Sequence, residues 1–187
     1  MKTETGFTVH DKQSAPEASR PLLDKVEQGF GFVPNIMGVG AEAPAWVEAY
    51  LSLGDILART SLSKAEQQVV LLSVSTQNRC DYCVAAHTAS GERAGVAAEV
   101  IEAIREGTEV PDAKLEALRR FTQAIVDKRG WVAEADVQAF LDAGFTRAQV
   151  FEVLVGVSMK TLSNYLNHMA ETPLDEPLKA KAPSKAA

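Results

Sequence analysis

Both cysteines of the chain and one of its three histidines lie in a single run, Cys80-Asp81-Tyr82-Cys83-Val84-Ala85-Ala86-His87. On an α-helix the positions of Cys80, Cys83 and His87 share one face, with His87 one turn beyond Cys83. Two thiols and a base on one surface suit thiol redox chemistry. The attacking sulfur must be a thiolate, and a free thiol with a pKa of about 8.5 supplies little of it at neutral pH, so His87 is expected to take the proton of Cys83. A thiolate that attacks the O–O bond of a peroxide becomes a sulfenic acid, which a thiol one turn away converts to a disulfide before further oxidation. Cys83 is therefore expected to be the peroxidatic residue, Cys80 the resolving one and His87 the base. No metal, haem or flavin is called for, because thiols supply the electrons. A zinc site is a rival use of the run, but it needs four ligands or three and a water, and His10 or His168 would have to come from far along the chain. Inert buried cysteines are a third reading.

Composition narrows the setting. The 187 residues are 46% hydrophobic and 24% charged, ordinary for a globular protein, with plentiful alanine and few aromatics, which favours helix over sheet. A net charge of −6 gives no electrostatic footprint for nucleic acid or anionic membrane. No stretch approaches the ~20 apolar residues of a membrane span, and the first residues lack the apolar core of a signal peptide. A cytoplasmic location is expected, and in that reducing compartment a CxxC pair is read as chemistry and not as a staple.

Residues 1–16 read as an extended arm with a β-like stretch at Phe7-Thr8-Val9, and residues 17–172 as one all-α multihelical domain. Its helices are expected at about 17–28, from Pro44 through Leu57, from Ser63 toward Asn78, and then, with Asn78 as cap, from the first cysteine to Gly91 and Gly95. Ser63 with Glu66 three residues on is a capping-box signature, and the helix behind it is apolar on most sides, which implies burial. Further helices are expected at about 96–106, 112–129, 133–143 and 146–171, with Gly107, Gly130 and Gly144 ending three of them. Residues 173–187 read as a tail, a docked turn followed by disorder. A weak repeat at an offset of 83 lays Ser63 to Glu66 over Thr146 to Gln149 and Tyr82 over Tyr165. It suggests a duplication, with a live core at about 44–106 and a degenerate copy at about 112–171 in which Ser163, Leu166 and Ala170 stand for Cys80, Cys83 and His87. Two helices with similar starts are the alternative.

Leu62-Ser63-Lys64-Ala65-Glu66, Asn78-Arg79-Cys80-Asp81-Tyr82-Cys83 and His87 resemble the core of the AhpD-like alkylhydroperoxidase and carboxymuconolactone decarboxylase family, in its peroxidase-related branch. Phe32-Val33-Pro34-Asn35, the Ala43-Pro44 start and Lys160 to Tyr165 with Asn167-His168 resemble it too. The resemblance implies an all-α fold, a homo-oligomer (trimer or hexamer), and reduction of alkyl hydroperoxides with recharging by a dithiol donor such as a lipoylated or thioredoxin-like protein. It also implies a glutamate twelve residues before the first cysteine, orienting the histidine in a proton relay. Gln68 stands there, and an amide can hold the imidazole but cannot take up a proton. Glu66 is a further site candidate, yet two residues of helix turn it by roughly 200° from Gln68, which favours its capping role. Glu48 or Glu152 would have to complete the relay from elsewhere.

Tyr82 is expected to wall the pocket, and Trp46 and Trp131 to lie in the core or at an oligomer interface. Asn164, Tyr165 and His168 are polar for a buried helix, so they either cap an interface or reach the site. Two rival functions stay open. One is a decarboxylase or isomerase acting on a small lactone, which needs cationic groups to hold carboxylates. The other is a non-catalytic dithiol sensor.

Overall fold

The computed structural model describes residues 1–183. Nine α-helices follow one another there: α1 (Arg20–Phe30), α2 (Asn35–Gly40), α3 (Pro44–Ala58), α4 (Lys64–Gln77), α5 (Asp81–Arg93), α6 (Ala98–Glu106), α7 (Ala113–Asp127), α8 (Glu134–Asp142) and α9 (Arg147–Ala170). Short 3-10 turns precede α1 and follow α9 at Glu176–Lys181. Among the described residues the only β pairing is an isolated bridge between Lys2 and Thr8, so the expected β-like stretch is reduced to one contact.

Local chemistry sets these boundaries. Ser63 Oγ accepts from the Glu66 N–H while the Glu66 carboxylate accepts from the Ser63 N–H, the reciprocal box expected for α4. Thr146 and Gln149 repeat it at the start of α9, at the 83-residue offset. Gly31, Gly107 and Gly144 take positive φ just past helix ends, where a side chain would be strained. Gly91 departs from expectation, since it stays helical inside α5 and only Gly95 turns the chain.

α4 is the central element and packs against α5, α6, α7 and α9. Val69, Val70, Leu71, Leu72 and Val74 are all buried, which accounts for a helix apolar on most sides, each contributing about 1.5–3 kcal/mol. α9 crosses it closely at Gly156, where an added Cβ would lie 2.7 Å from Val70 Cγ1. One apolar cluster joins α4 to α6, α7 and α8, with Phe121, Phe140 and Phe145 stacked in series. A second joins α1, α2, α3 and α9, and it contains both cysteines.

Two elements differ from the sequence reading. α2 occupies residues 35–40, where no helix was expected, and Gly38 within it lets the N-terminal arm approach so closely that a Cβ would meet His10 O at 2.6 Å. Trp131 is 87% exposed, so it is not a core residue, whereas Trp46 stacks on buried Tyr50. The expected docked turn after α9 is present. Asp175 is buried and accepts from the Asn35 N–H at the start of α2 (3.0 Å) and from the Tyr82 hydroxyl, while Asn35 Nδ2 donates to Pro173 O. The disorder expected after Pro177 is corrected as far as residue 183, because the 3-10 turn runs to Lys181, whose ammonium pairs with Glu92 (2.7 Å), and Ala182 O accepts from Arg105; the rest of that expectation lies on residues 184–187, outside the described residues.

Candidate active site

The turn between α4 and α5 places the two sulfurs. Arg79 takes the left-handed conformation (φ 55°), and the N–H of Cys80 returns to Ser75 O at 2.9 Å. A side-chain-bearing residue in that conformation is uncommon, and here it lets α5 begin at once. Cys80 is itself the N-cap of α5, and Cys83 lies in the first turn. That corrects the expected capping by Asn78, which ends α4 and donates from Nδ2 to Asn164 Oδ1 at 2.9 Å. Cys83 is thereby placed at the positive end of the α5 dipole, which favours a thiolate.

Both cysteines are free and buried. The side-chain amide of Asn167 on α9 donates to both, 3.3 Å to Cys83 Sγ and 3.6 Å to Cys80 Sγ. The hydrogen bond from Cys80 holds Cys83 well below the usual thiol range, and against the cost of burial it is joined by the charge of Lys160 and by the Lys160 and Asn164 side chains. Cys80 is pushed upward by the same bond and by its burial. One thiolate, Cys83, is thus backed by one thiol, Cys80.

Lys160 is only 1% exposed. Burial works against its charge, but the Cys83 and Tyr50 side chains outweigh it and keep the ammonium above its ordinary range. The sequence reading did not single out this residue for chemistry. Ser163, which stands for Cys80 in the repeat, lies with its Oγ 3.9 Å from Cys83 Sγ. Of the polar residues questioned on α9, Asn164 reaches the sulfurs, whereas Tyr165 and His168 are exposed and pack against each other.

His87 is buried on α5, and its Nδ1 lies 3.0 Å from Gln68 Oε1. A carbonyl oxygen only accepts, so Nδ1 carries the proton and Nε2 keeps a free lone pair. Burial first, and the Lys160 charge second, push His87 well below its ordinary value, which leaves a neutral imidazole. The groups that hold the Cys83 sulfur are Cys80, Lys160 and Asn167, with Asn164 beside them, and His87 is not among them. Gln68 is thus brought to His87 as expected. Glu66 is not, because its carboxylate is bonded to the Ser63 N–H and to Lys114 Nζ (2.7 Å), a helix cap and an ion pair that remove it from the relay. Glu48 is exposed and Glu152 accepts from Ser61, so neither completes it.

A cavity of about 550 Å³ opens onto one face of α5. Cys83, His87 and Lys160 line it, whereas Cys80 does not, and Tyr82 forms part of its wall as expected. The arrangement offers a soft nucleophile to a bound molecule, with a second thiol directly behind it and a buried cation beside it. No group of His, Cys, Asp and Glu among the described residues is arranged to hold a metal ion.

Residues 44–124 match the carboxymuconolactone decarboxylase family. No curated protein matches the chain in sequence. Among solved structures, the alkylhydroperoxidase AhpD core protein from Ralstonia eutropha JMP134, described as an uncharacterized peroxidase-related protein, is similar at a TM-score of 0.81 and 23% identity, over 95% of this chain and 97% of that one. An uncharacterized peroxidase-related protein from Silicibacter sp. TM1040 is similar at 0.79 and 18%, over 96% and 97%. A cysteine-to-alanine variant of the debrominase Bmp8 in complex with 2,3,4-tribromopyrrole is similar at 0.77 and 17%, over 97% and 96%. Residues 44–124 thus carry the similarity to the carboxymuconolactone decarboxylase family, and along its whole length the chain has the AhpD-core fold.

Proposed function

We propose that the protein is a thiol-dependent peroxidase that reduces organic hydroperoxides through a Cys80–Cys83 dithiol and disulfide cycle. The observation that carries this reading is the asymmetry of the pair: Cys83 lines the cavity beside Lys160, in the first turn of α5 and under the Asn167 amide, whereas Cys80 does not reach the cavity, and these surroundings favour the thiolate on Cys83. The Cys83 thiolate attacks the hydroxyl-bearing oxygen of ROOH, the O–O bond breaks, and Cys83–SOH and RO⁻ form. The spent thiolate leaves Lys160 as a buried cation without its anion, so Lys160 becomes acidic enough to give the alkoxide its proton. His87 Nε2 accepts the hydroperoxide O–H and holds that oxygen toward the sulfur, an orienting role in place of the base first expected. Cys80–SH then condenses with Cys83–SOH, releasing water and forming the disulfide. A dithiol donor reduces it, restoring one thiolate, one thiol and the Lys160 proton. A lipoylated or thioredoxin-like protein fits that donor role.

The test is peroxide consumption with excess dithiothreitol or dihydrolipoamide, comparing the wild type with Cys83→Ser. Repeated turnover that the variant loses supports the reading. A single stoichiometric oxidation without turnover favours the dithiol sensor. The lactone reading gains one observation, the buried cation Lys160 in the cavity, but it leaves the ionised Cys83 without a task. We also propose a homo-oligomer, for which Phe151, Leu154, Tyr165 and Met169 along α9 offer an exposed apolar face. Light scattering after size exclusion decides between trimer, hexamer and monomer.

A further inference from the structure

The cavity carries a second kind of information in its charges. In a chain of net charge −6, the described residues lining it include two cations, Lys160 and Arg93, and no carboxylate. The charge of Lys160 is answered by the Cys83 thiolate. Arg93 forms no ion pair among the described residues, and its Nη2 donates only to Ser90 Oγ (3.0 Å), one turn back on α5 and also on the cavity wall. A guanidinium so placed is a ready partner for a planar anion.

Geometry fixes how far that anion stands from the sulfur. Cys83, Ala86, His87, Ser90 and Arg93 follow one face of α5 at helical spacing, and all line the cavity. Ten residues of helix at 1.5 Å each put the Arg93 backbone about 15 Å along the axis from Cys83, and the guanidinium, folded back to Ser90, about 10 Å from it. Between the two ends the opposite walls are apolar, with Ile36 and Met37 inside and Phe30 and Phe32 at the mouth. Phe30 is 54% and Phe32 37% exposed, an entrance that favours an apolar chain over a small polar peroxide.

We infer that the cavity takes a long-chain carboxylic acid hydroperoxide, with its carboxylate on Arg93, its chain along the α5 face and its hydroperoxide at Cys83. The inference rests on the peroxidase reading for the chemistry but not for the binding. The reaction is the one written above, with R the acid chain. Arg93 is a specificity residue and touches no reacting atom.

Two measurements test it. Turnover of linoleic acid hydroperoxide and of its methyl ester, both below micelle concentrations, gives an acid-to-ester ratio of kcat/KM for the wild type and for Arg93→Gln. The wild type is expected to prefer the acid about two- to fivefold, the scale of an exposed charge pair, through KM, and the variant to lose that preference. Equal use of acid and ester by the wild type, or a preference that survives in the variant, overturns the assignment. Calorimetric titration with linoleate, which carries no peroxide, reads the binding alone. Saturable binding weakened about two- to fivefold in Arg93→Gln upholds the site even if no peroxide is turned over, whereas no saturable binding to the wild type, or binding unchanged in the variant, overturns it.

Discussion

Replacing Lys160 with methionine removes the counter-charge of Cys83 while keeping an apolar stem in its place. Because Lys160 is 1% exposed, the relevant scale is that of breaking a buried pair, about 3–5 kcal/mol, and not the ~0–1 kcal/mol of a surface pair. Cys80 and Asn167 still donate to the sulfur, so the lower end applies. About 3 kcal/mol is a roughly 100-fold change in the proton affinity of the sulfur, and it lowers the thiolate fraction in full only at and below the pH where the wild-type thiol ionises. A more basic thiolate is a better nucleophile, with a Brønsted slope of about 0.4–0.5, so about half of that loss on a logarithmic scale returns. The net expectation is peroxide attack about tenfold slower at and below that pH, with the deficit shrinking as pH rises. The sign with pH follows from the wild-type Cys83 lying well below its ordinary value: its rate levels off in acid, whereas the variant's goes on rising with pH and meets or passes the wild type. Single-turnover oxidation by cumene hydroperoxide and iodoacetamide alkylation, followed across pH, measure both effects, with Lys160→Arg expected to restore part of the rate in acid. A folded Lys160→Met protein with wild-type rates and a level profile refutes the electrostatic role.

Gln68→Glu places a carboxylate about where Oε1 now lies, 3.0 Å from His87 Nδ1, and raises the imidazole from its depressed value. The His87 ring resonances should titrate at higher pH, and unmoved resonances count against the pairing. Burial opposes the charge of Glu116, but Arg119, Arg120 and the Val110 N–H hold its carboxyl down to about 2. Its stabilisation is complete above the unfolded value and lost as pH falls from the ordinary carboxylate range through that folded value. Glu116→Gln should therefore cost about 2–3 kcal/mol at neutral pH and flatten the acid limb of the denaturation curve, which chemical denaturation measured against pH will show. Gly156→Ala would ordinarily stabilise a helix, but here the new Cβ meets Val70 Cγ1, a stiff and fully buried neighbour. A loss of about 1–3 kcal/mol is expected on thermal unfolding, and a gain in stability contradicts the close crossing of α4 and α9.

The helices were legible where capping chemistry is local. Ser63 with Glu66, Thr146 with Gln149 and Pro44 announce starts within a few residues of sequence, and the structure uses each. α2 was not legible, because Ile36-Met37-Gly38-Val39-Gly40 has neither period nor helix propensity and is held by packing and by Asp175 from the far end of the chain. The same distinction divides the site. The CxxC run and His87 declare themselves by type and spacing, and Gln68 by its resemblance-derived position. Lys160 does not, since a lysine is ordinarily solvated and only the crossing of α9 buries it. A signal was present nonetheless. α9 is inverted, with Lys160, Ser163, Asn164 and Asn167 turned inward at helical spacing while Phe151, Leu154, Tyr165 and Met169 face out. Polar residues on the inner stripe of a core helix mark where a reactive group waits.

Sulfur and counter-charge come from different parts of the chain, Cys83 from α5 and Lys160 from α9, and only the first lies inside the family-matched residues 44–124. The two are therefore free to diverge independently. A relative that keeps the cysteines but carries an apolar residue in place of Lys160 retains the means to form the disulfide and forfeits much of the reactivity. Kinship judged on the cysteine-bearing segment alone would group fast and sluggish proteins together. The tuning of the nucleophile is inherited through the last long helix.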